Sequence, residues 1–345
     1  MPLLEVSDLH IALPTAQGMV DVVRGVGFSL ERGQTLGLVG ESGGGKSLMA
    51  LALLGLLPEG AKARGSIRLN GKELLGLPEA SLRPVRGLNM GMVLQEPLTT
   101  LDPKRCIGDQ VMEPLRLHSK LGRSASRQQA QVLLRRVGIQ DSTRCMEAFA
   151  HQFSAGQRQR ITLAIALACG PALLIADEPA PALDPILRQK MLEVLWDLNV
   201  ERQRGLLLIS RDLGLIAENT DYLLVMYGGM VLESGPTPAL FSDAAHPYTR
   251  GLLAARPVLS SKNRLRQALP AIAGAAPALG QFSAGCPFAG RCEFTLAACQ
   301  HAPPAAQTLS KDGDSDGVYS AHSVRCVRIQ AVPDAAPGQA HWKLR

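Results

Sequence analysis

Eight consecutive residues, Gly40, Glu41, Ser42, Gly43, Gly44, Gly45, Lys46 and Ser47, match the pattern GxxxxGK[ST]. Glycines at this spacing let backbone N–H groups turn inward around phosphate oxygens, and a helix that starts at the loop adds a positive dipole end. A lysine in this place reaches the outer phosphates, and the hydroxyl after it binds Mg²⁺. The flanks suit that chemistry. The apolar run Thr35-Leu-Gly-Leu-Val39 precedes the loop, and a helical pattern from Leu48 to Leu57, closed by Pro58, follows it. A chance glycine-rich turn has no need of both flanks.

A second constellation is Leu173-Leu-Ile-Ala-Asp177-Glu178-Pro179. An acidic residue at the C-terminal end of a buried parallel strand falls beside such a loop. Asp177 is expected to hold Mg²⁺, directly or through water. Glu178 is expected to take a proton from the attacking water or orient it, which contributes about 10²–10⁴ in rate. On its own an Asp-Glu pair reads as a helix cap; the loop upstream decides for chemistry.

The seven cysteines divide unevenly. Cys106, Cys145 and Cys169 are scattered and read as ordinary core or surface residues. Cys286, Cys292, Cys299 and Cys326 fall in the last sixty residues, and a cluster of this kind in a cytosolic chain suggests a metal site before disulfides. Four thiolates suit iron–sulfur or zinc. Neither a CxxC knuckle nor a ferredoxin run is present, so spacing leaves the choice open.

The surrounding chain must position these groups. Alternating apolar residues from Leu4 to Ile11 and from Val20 to Leu30 predict antiparallel strands, and Asn70-Gly71 predicts a hairpin turn after Ser66. Residues 106–138 read as helical, as do 156–168 and 185–202. Ala172–Asp177 and Leu206–Ser210 read as buried strands. Strand–helix alternation with unbroken apolar strands predicts an α/β fold, a parallel sheet covered on both faces. Near residue 256 Ala, Pro, Gly and Ser take over. The expected division is an ATPase-type domain over 1–255 and a small irregular Cys-bearing extension over 256–345, too poor in apolar residues to bury much core of its own.

Composition excludes several classes. The 345 residues are 46% hydrophobic, which rules out disorder as the main state. Residues 1–255 carry 26 basic and 25 acidic side chains and the remainder 10 and 5, so the net charge of +6 sits mostly in the tail. A near-neutral body with only 4% aromatics argues against a nucleic-acid surface. No apolar run of about 18 residues is present to span a bilayer. The first residues lack a basic segment followed by an apolar run, so a secretory signal is not expected and the chain is expected in the cytosol.

Taken together, these motifs resemble an ATP-binding subunit of an ABC transporter, in an order that covers residues 1–255. Gln95-Glu-Pro97 resembles the family's Q-loop, which implies that Gln95 contacts Mg²⁺ or water. Phe153-Ser154-Ala155-Gly156-Gln157 resembles the signature that marks ABC ATPases, and Ala182-Leu-Asp184 resembles the D-loop. The resemblance implies that Ser154, Ala155, Gly156 and Gln157 face the γ-phosphate of a partner subunit's ATP, that Asp184 crosses the same interface, and that two chains sandwich two nucleotides. It also implies an antiparallel β subdomain and a helical subdomain around the nucleotide core. His246-Pro-Tyr-Thr249, Gly251-Leu-Leu-Ala-Ala-Arg-Pro257 and the Cys286-Pro-Phe-x-x-x-Cys292 segment are similar to oligopeptide/dipeptide importer subunits, in which four such cysteines are similar to ligands of a 4Fe–4S cluster; Zn²⁺ is the alternative.

Four positions depart from the family pattern. No aromatic residue precedes Phe28 to stack on adenine. Ser210-Arg211-Asp212 stands where Ser-His-Asp is usual, so Arg211 occupies the catalytic switch position, either clamping phosphate or facing solvent. Ala155 replaces glycine in the signature, and Ala180-Pro181 precedes the D-loop.

The resemblance implies a subunit that hydrolyses ATP to power a peptide-class importer, peripheral on the cytoplasmic face of a bacterial membrane. Its implied partners are two transmembrane permease subunits, a second ABC ATPase subunit taken as a different chain, and, indirectly, an extracytoplasmic solute-binding protein. Nucleic acid is not among them. One alternative is a degenerate ATP-dependent clamp with weak hydrolysis at its own site. Another is an importer subunit for a nickel or metallophore complex. A soluble ABC ATPase of translation or DNA repair fits poorly, because one cassette is present and no heptad run is seen.

Overall fold

The computed structural model describes residues 1–16, 18–94, 100–179, 191–197, 203–256, 270–309 and 321–329. Two sheets organise it. Strands β1 (Leu4–Thr15) and β2 (Gly18–Leu30) pair antiparallel along most of their length, and β4 (Lys62–Leu69) lies on the other side of β1. Asn70 and Gly71 both take positive φ, 49° and 76°, as a two-residue hairpin turn demands, and lead into β5 (Lys72–Glu73).

The second sheet runs β11-β12-β10-β9-β3-β8-β7-β6. Its centre is parallel: β3 (Thr35–Val39), β8 (Gly205–Ile209), β7 (Leu173–Asp177) and β6 (Met90–Val93). Every residue of β3, β7 and β8 is buried, which is why these strands read as unbroken apolar runs. Strand β9 (Tyr222–Tyr227) continues the parallel set beside β3, and β10 (Met230–Pro236) turns back antiparallel to it.

Helix α1 (Lys46–Leu53) starts on the lysine of the glycine-rich loop and stops earlier than the apolar pattern suggests. Gly55, at φ 63°, ends it before Pro58. The helical stretch expected over 106–138 is two helices, α2 (Ile107–Leu117) and α3 (Arg123–Arg136), parted around Gly122. Helix α4 (Ala155–Leu167) packs with both, and its buried Ile161 and Leu163 join Val111 and Leu134 in one core. A second core fills the space between the sheets with Leu9, Ile11, Leu36, Leu53, Ile67 and Leu224. Of the helix expected over 185–202, residues 191–197 are helical and the rest lie outside the described residues.

The sheet crosses the boundary expected near 256. Strands β11 (Gln307–Leu309) and β12 (His322–Val324) extend it through β10. Cys286, Phe288 and Ala289 join the core of the nucleotide domain. The fully buried Glu233 side chain on β10 ties the tail down, accepting from His322 Nε2 at 2.7 Å and from the backbone N–H groups of Ala245 and His246 at 2.6 and 3.0 Å. Among the described residues no helix is long and apolar enough to cross a membrane.

Candidate nucleotide site

Strand β3 delivers the chain into the loop at Gly40, whose φ is 151°. A Cβ there would run into the Met226 carbonyl oxygen, so only glycine lets the loop lie against β9. Lys46 is 7% exposed, and its Nζ donates to the carbonyl oxygens of Gly40 and Glu41, both at 2.8 Å. Burial lowers the pKa of its ammonium, while the charges of Glu178, Asp177 and Glu41 raise it and that of Arg211 lowers it. The glycine-rich loop, the end of β7 and Arg211 therefore share one electrostatic site.

Asp177 ends β7 and is 4% exposed. Burial pushes its carboxyl above the usual aspartate range; a hydrogen bond from Ser47 and the charges of Lys46 and Arg211 act the other way. Its Oδ1 is buried with no hydrogen-bond partner among the described residues. A buried carboxylate oxygen left over beside a serine hydroxyl fits a small hard cation with oxygen ligands. Ser47 and Asp177 are thus the residues of this chain that suit Mg²⁺.

Glu178 sits at φ 46°, a left-handed conformation uncommon for a non-glycine residue and costly enough to be found mostly where function requires it. Its N–H donates to Ile209 O at 2.9 Å, so β8 holds the backbone while the side chain leaves the strand. Burial raises its carboxyl pKa, and the nearby Arg211 charge lowers it. The Arg211 Nε donates to Glu178 Oε1 at 3.1 Å, with the Arg211 side chain 57% and the Glu178 side chain 13% exposed. The sequence offers Arg211 a phosphate or solvent; in the fold its partner is the carboxylate at the end of the adjacent strand, an arrangement that spacing does not reveal.

Ser154 caps α4. Its Oγ accepts from Gln157 N at 3.3 Å and its N–H donates to Gln157 Oε1 at 2.9 Å, a reciprocal capping box. Ser154, Ala155 and Gln157 are exposed while Gly156 is buried, so the helix start is presented outward. Gln95, Asp184 and the Ala180-Pro181 step lie outside the described residues.

Cys286, Cys292, Cys299 and Cys326 line one small cavity of about 20 Å³ together with His246 and Phe294. Burial pushes the Cys286 thiol up to about 11, with the other three sulfurs adding to the rise, and raises Cys292 and Cys326 as well. Among the described residues no three His, Cys, Asp or Glu side chains stand close enough to hold a single metal ion. Two residues that sequence reasoning passed over also reach the loop. Arg291 Nη1 donates to both carboxylate oxygens of Glu41, and Tyr248 OH accepts from Glu41 N. Both lie inside segments quoted for other reasons, so the signal was their neighbours rather than themselves.

A glycine-rich loop feeding a helix, with an Asp-Glu pair ending a parallel strand of the same sheet and a capped helix start facing outward, defines an ATP-binding cassette. The family model described as ABC transporter matches residues 23–181, and the one described as the oligopeptide/dipeptide transporter C-terminal region matches residues 232–299. The oligopeptide transport ATP-binding protein OppD of Mycobacterium tuberculosis is 42% identical over 96% of this chain and 52% of its own length. The chain thus spans about half the length of that relative. OppD of Salmonella typhimurium is 40% identical over 88% of this chain and 89% of its own. Among solved structures, the dimeric ATP-binding cassette MJ0796 bound to ADP and Pi aligns with a TM-score of 0.62 at 22% identity, over 68% of this chain and 98% of that one. The cbiO1 chain of Clostridium perfringens aligns with a TM-score of 0.60 at 24% identity, over 70% and 91%. These structural likenesses carry the fold. The chain belongs to the ABC transporter ATP-binding family, in its oligopeptide/dipeptide branch.

Proposed function

We propose that this chain binds and hydrolyses ATP to power a peptide-class importer. The observation that carries the reading is the convergence of Lys46 and Ser47, in the loop and helix start that follow β3, with Asp177 and Glu178 at the end of β7, one strand removed in the same sheet. Lys46 already lies along the loop's carbonyls and neutralises triphosphate charge. Ser47 and Asp177, with Gln95 as a further proposed ligand, would hold Mg²⁺, which would supply charge neutralisation for the triphosphate. Glu178 takes up or orients the proton of the attacking water, and burial keeps its carboxyl basic enough for the task. The outward-facing Ser154–Gln157 segment and Asp184 serve a partner's ATP. Two permease subunits, a second ATPase chain and a solute-binding protein complete the system, with this chain peripheral on the cytoplasmic face of the membrane.

One observation favours the clamp reading as second choice. A general base engaged by a guanidinium is less available to a water proton, so the Arg211–Glu178 pair supports slow turnover at this site with ATP-driven closure intact. For the cysteine segment we propose an iron–sulfur cluster over zinc. Four thiols, one buried and three half-buried, line one cavity, and burial with the neighbouring sulfurs raises the pKa of Cys286, Cys292 and Cys326; the lack of single-ion spacing suits a multi-atom cluster better than one zinc. Its role here is to staple a segment with few apolar residues.

The test is ATP-driven uptake of a labelled oligopeptide by the reconstituted transporter. Uptake that stops with Glu178→Gln in this chain supports the reading. Uptake indifferent to Glu178 and to Lys46 removes this chain as a motor.

A further inference from the structure

Glu41 is the sole acidic residue in a loop shaped to receive a polyanion. Left free, its carboxylate would repel the phosphates. Instead every polar group of Glu41 is engaged. Its N–H donates to Tyr248 OH at 3.0 Å, and its carbonyl oxygen accepts from Lys46 Nζ at 2.8 Å and Gly44 N at 3.3 Å. Both carboxylate oxygens accept from Arg291 Nη1, at 2.9 and 2.8 Å.

Arg291 comes from 250 residues away, on the cysteine-bearing segment between Cys286 and Cys292. Its side chain is 9% exposed, against 29% for Glu41. Nε donates to Ala273 O at 2.8 Å, and Nη2 donates to Gly274 O at 2.9 Å and Ile272 O at 3.3 Å. Nη1 also donates to Tyr227 OH at 3.1 Å, and the guanidinium lies 5.7 Å from the Tyr227 ring centre and 5.9 Å from that of Phe288. Only a planar fork with several N–H groups meets these acceptors at once. Tyr227, Tyr248 and Phe288 contact one another and wall the fork in.

We propose that Arg291 is a positioning residue for the ATP site, acting through Glu41: it cancels the loop's one negative charge and holds the loop in its phosphate-binding shape. The inference rests on residues 40–47 being the ATP site. Its physical content is electrostatic. A buried arginine that only docked the tail has no reason to place two of its hydrogen bonds on the acidic residue of the phosphate loop. Because Arg291 directly precedes Cys292, the cysteine segment and the phosphate loop share this anchor.

The test is a double-mutant cycle on the full-length chain, reading the Kd for MgATP by calorimetry. Arg291→Ala leaves the Glu41 carboxylate unpaired beside the triphosphate and weakens binding about 10-fold, the scale of one charge-assisted bond. In a Glu41→Gln background the same Arg291→Ala change alters Kd by less than about threefold, because the charge it answered is gone. A role confined to docking the tail gives the same loss in both backgrounds, and that result overturns the proposal. So does an unchanged Kd in folded Arg291→Ala. Should Arg291→Ala fail to fold, Arg291→Lys carries the cycle: an ammonium keeps the charge but not the fork, its weakening is smaller, and Glu41→Gln again erases it. Equal loss in both backgrounds overturns the proposal there too. Binding by the wild-type chain that is lost in Lys46→Ala confirms the ATP site itself, so failure of that premise is read separately.

Discussion

Arg211 Nε and Glu178 Oε1 lie 3.1 Å apart, which joins the residue proposed for the switch position to the carboxylate proposed as general base. The pair bridges the ends of β8 and β7 and sets how free that base is. With Arg211 more than half exposed, solvent screens the attraction, and pairs of this kind contribute about 0.2–1 kcal/mol. Replacing Arg211 by His releases Glu178 and offers a shorter donor to the attacking water. The expected outcome is a rise in kcat at this site of no more than about fivefold, measured in a complex whose other site is silenced. A fall in kcat would assign Arg211 a direct part in transition-state stabilisation, like an arginine finger supplied in cis.

The same pair sets a pH dependence. Burial holds the Glu178 carboxyl above the usual glutamate range, and the Arg211 charge pulls it partly back. The base works ionised, so turnover rises with pH through its pKa. Arg211→Ala removes the downward pull and moves the acid limb of the kcat–pH profile to higher pH. A limb that moves to lower pH, or stays in place, contradicts the assignment of Glu178 as the titrating base.

Glu178→Gln keeps shape and removes the proton acceptor. Hydrolysis at this site is expected to fall by about 10²–10⁴, while ATP stays bound and the closed dimer accumulates on size-exclusion chromatography. Undiminished single-turnover ATP consumption at this site would take the base role away from Glu178.

Chain purified without air is expected to be brown and to absorb in the charge-transfer region of an iron–sulfur cluster. Serine at any one of Cys286, Cys292, Cys299 or Cys326 should bleach the colour and loosen the tail, read as faster proteolysis after β10. A colourless anaerobic preparation with one zinc per chain would hand the cavity to zinc.

What was legible in the sequence is what local geometry dictates. The phosphate loop is one contiguous segment whose glycines and lysine are spaced by the turn itself. Asp177-Glu178 stands at the end of a strand apolar enough to be read by eye. The contacts between distant segments were not legible. Arg211 meets Glu178 across 33 residues and Arg291 meets Glu41 across 250, and no periodicity links them. The tail's strands are three residues each, too short to show alternation, so their place in the main sheet emerges only with the Glu233–His322 bond. The break over residues 118–122 was hidden for a related reason: the turn is made by Lys120 at φ 53°, and a lysine gives no stop signal.

Calorimetric titration of MgATP into the full-length chain and its Lys46→Ala variant tests the central claim most directly. Hydrogen bonds to charged groups contribute about 1.5–3 kcal/mol, so the variant should bind about 10- to 100-fold more weakly, at or beyond the limit of detection. Equal affinity in the two proteins would contradict an ATP site built on residues 40–47.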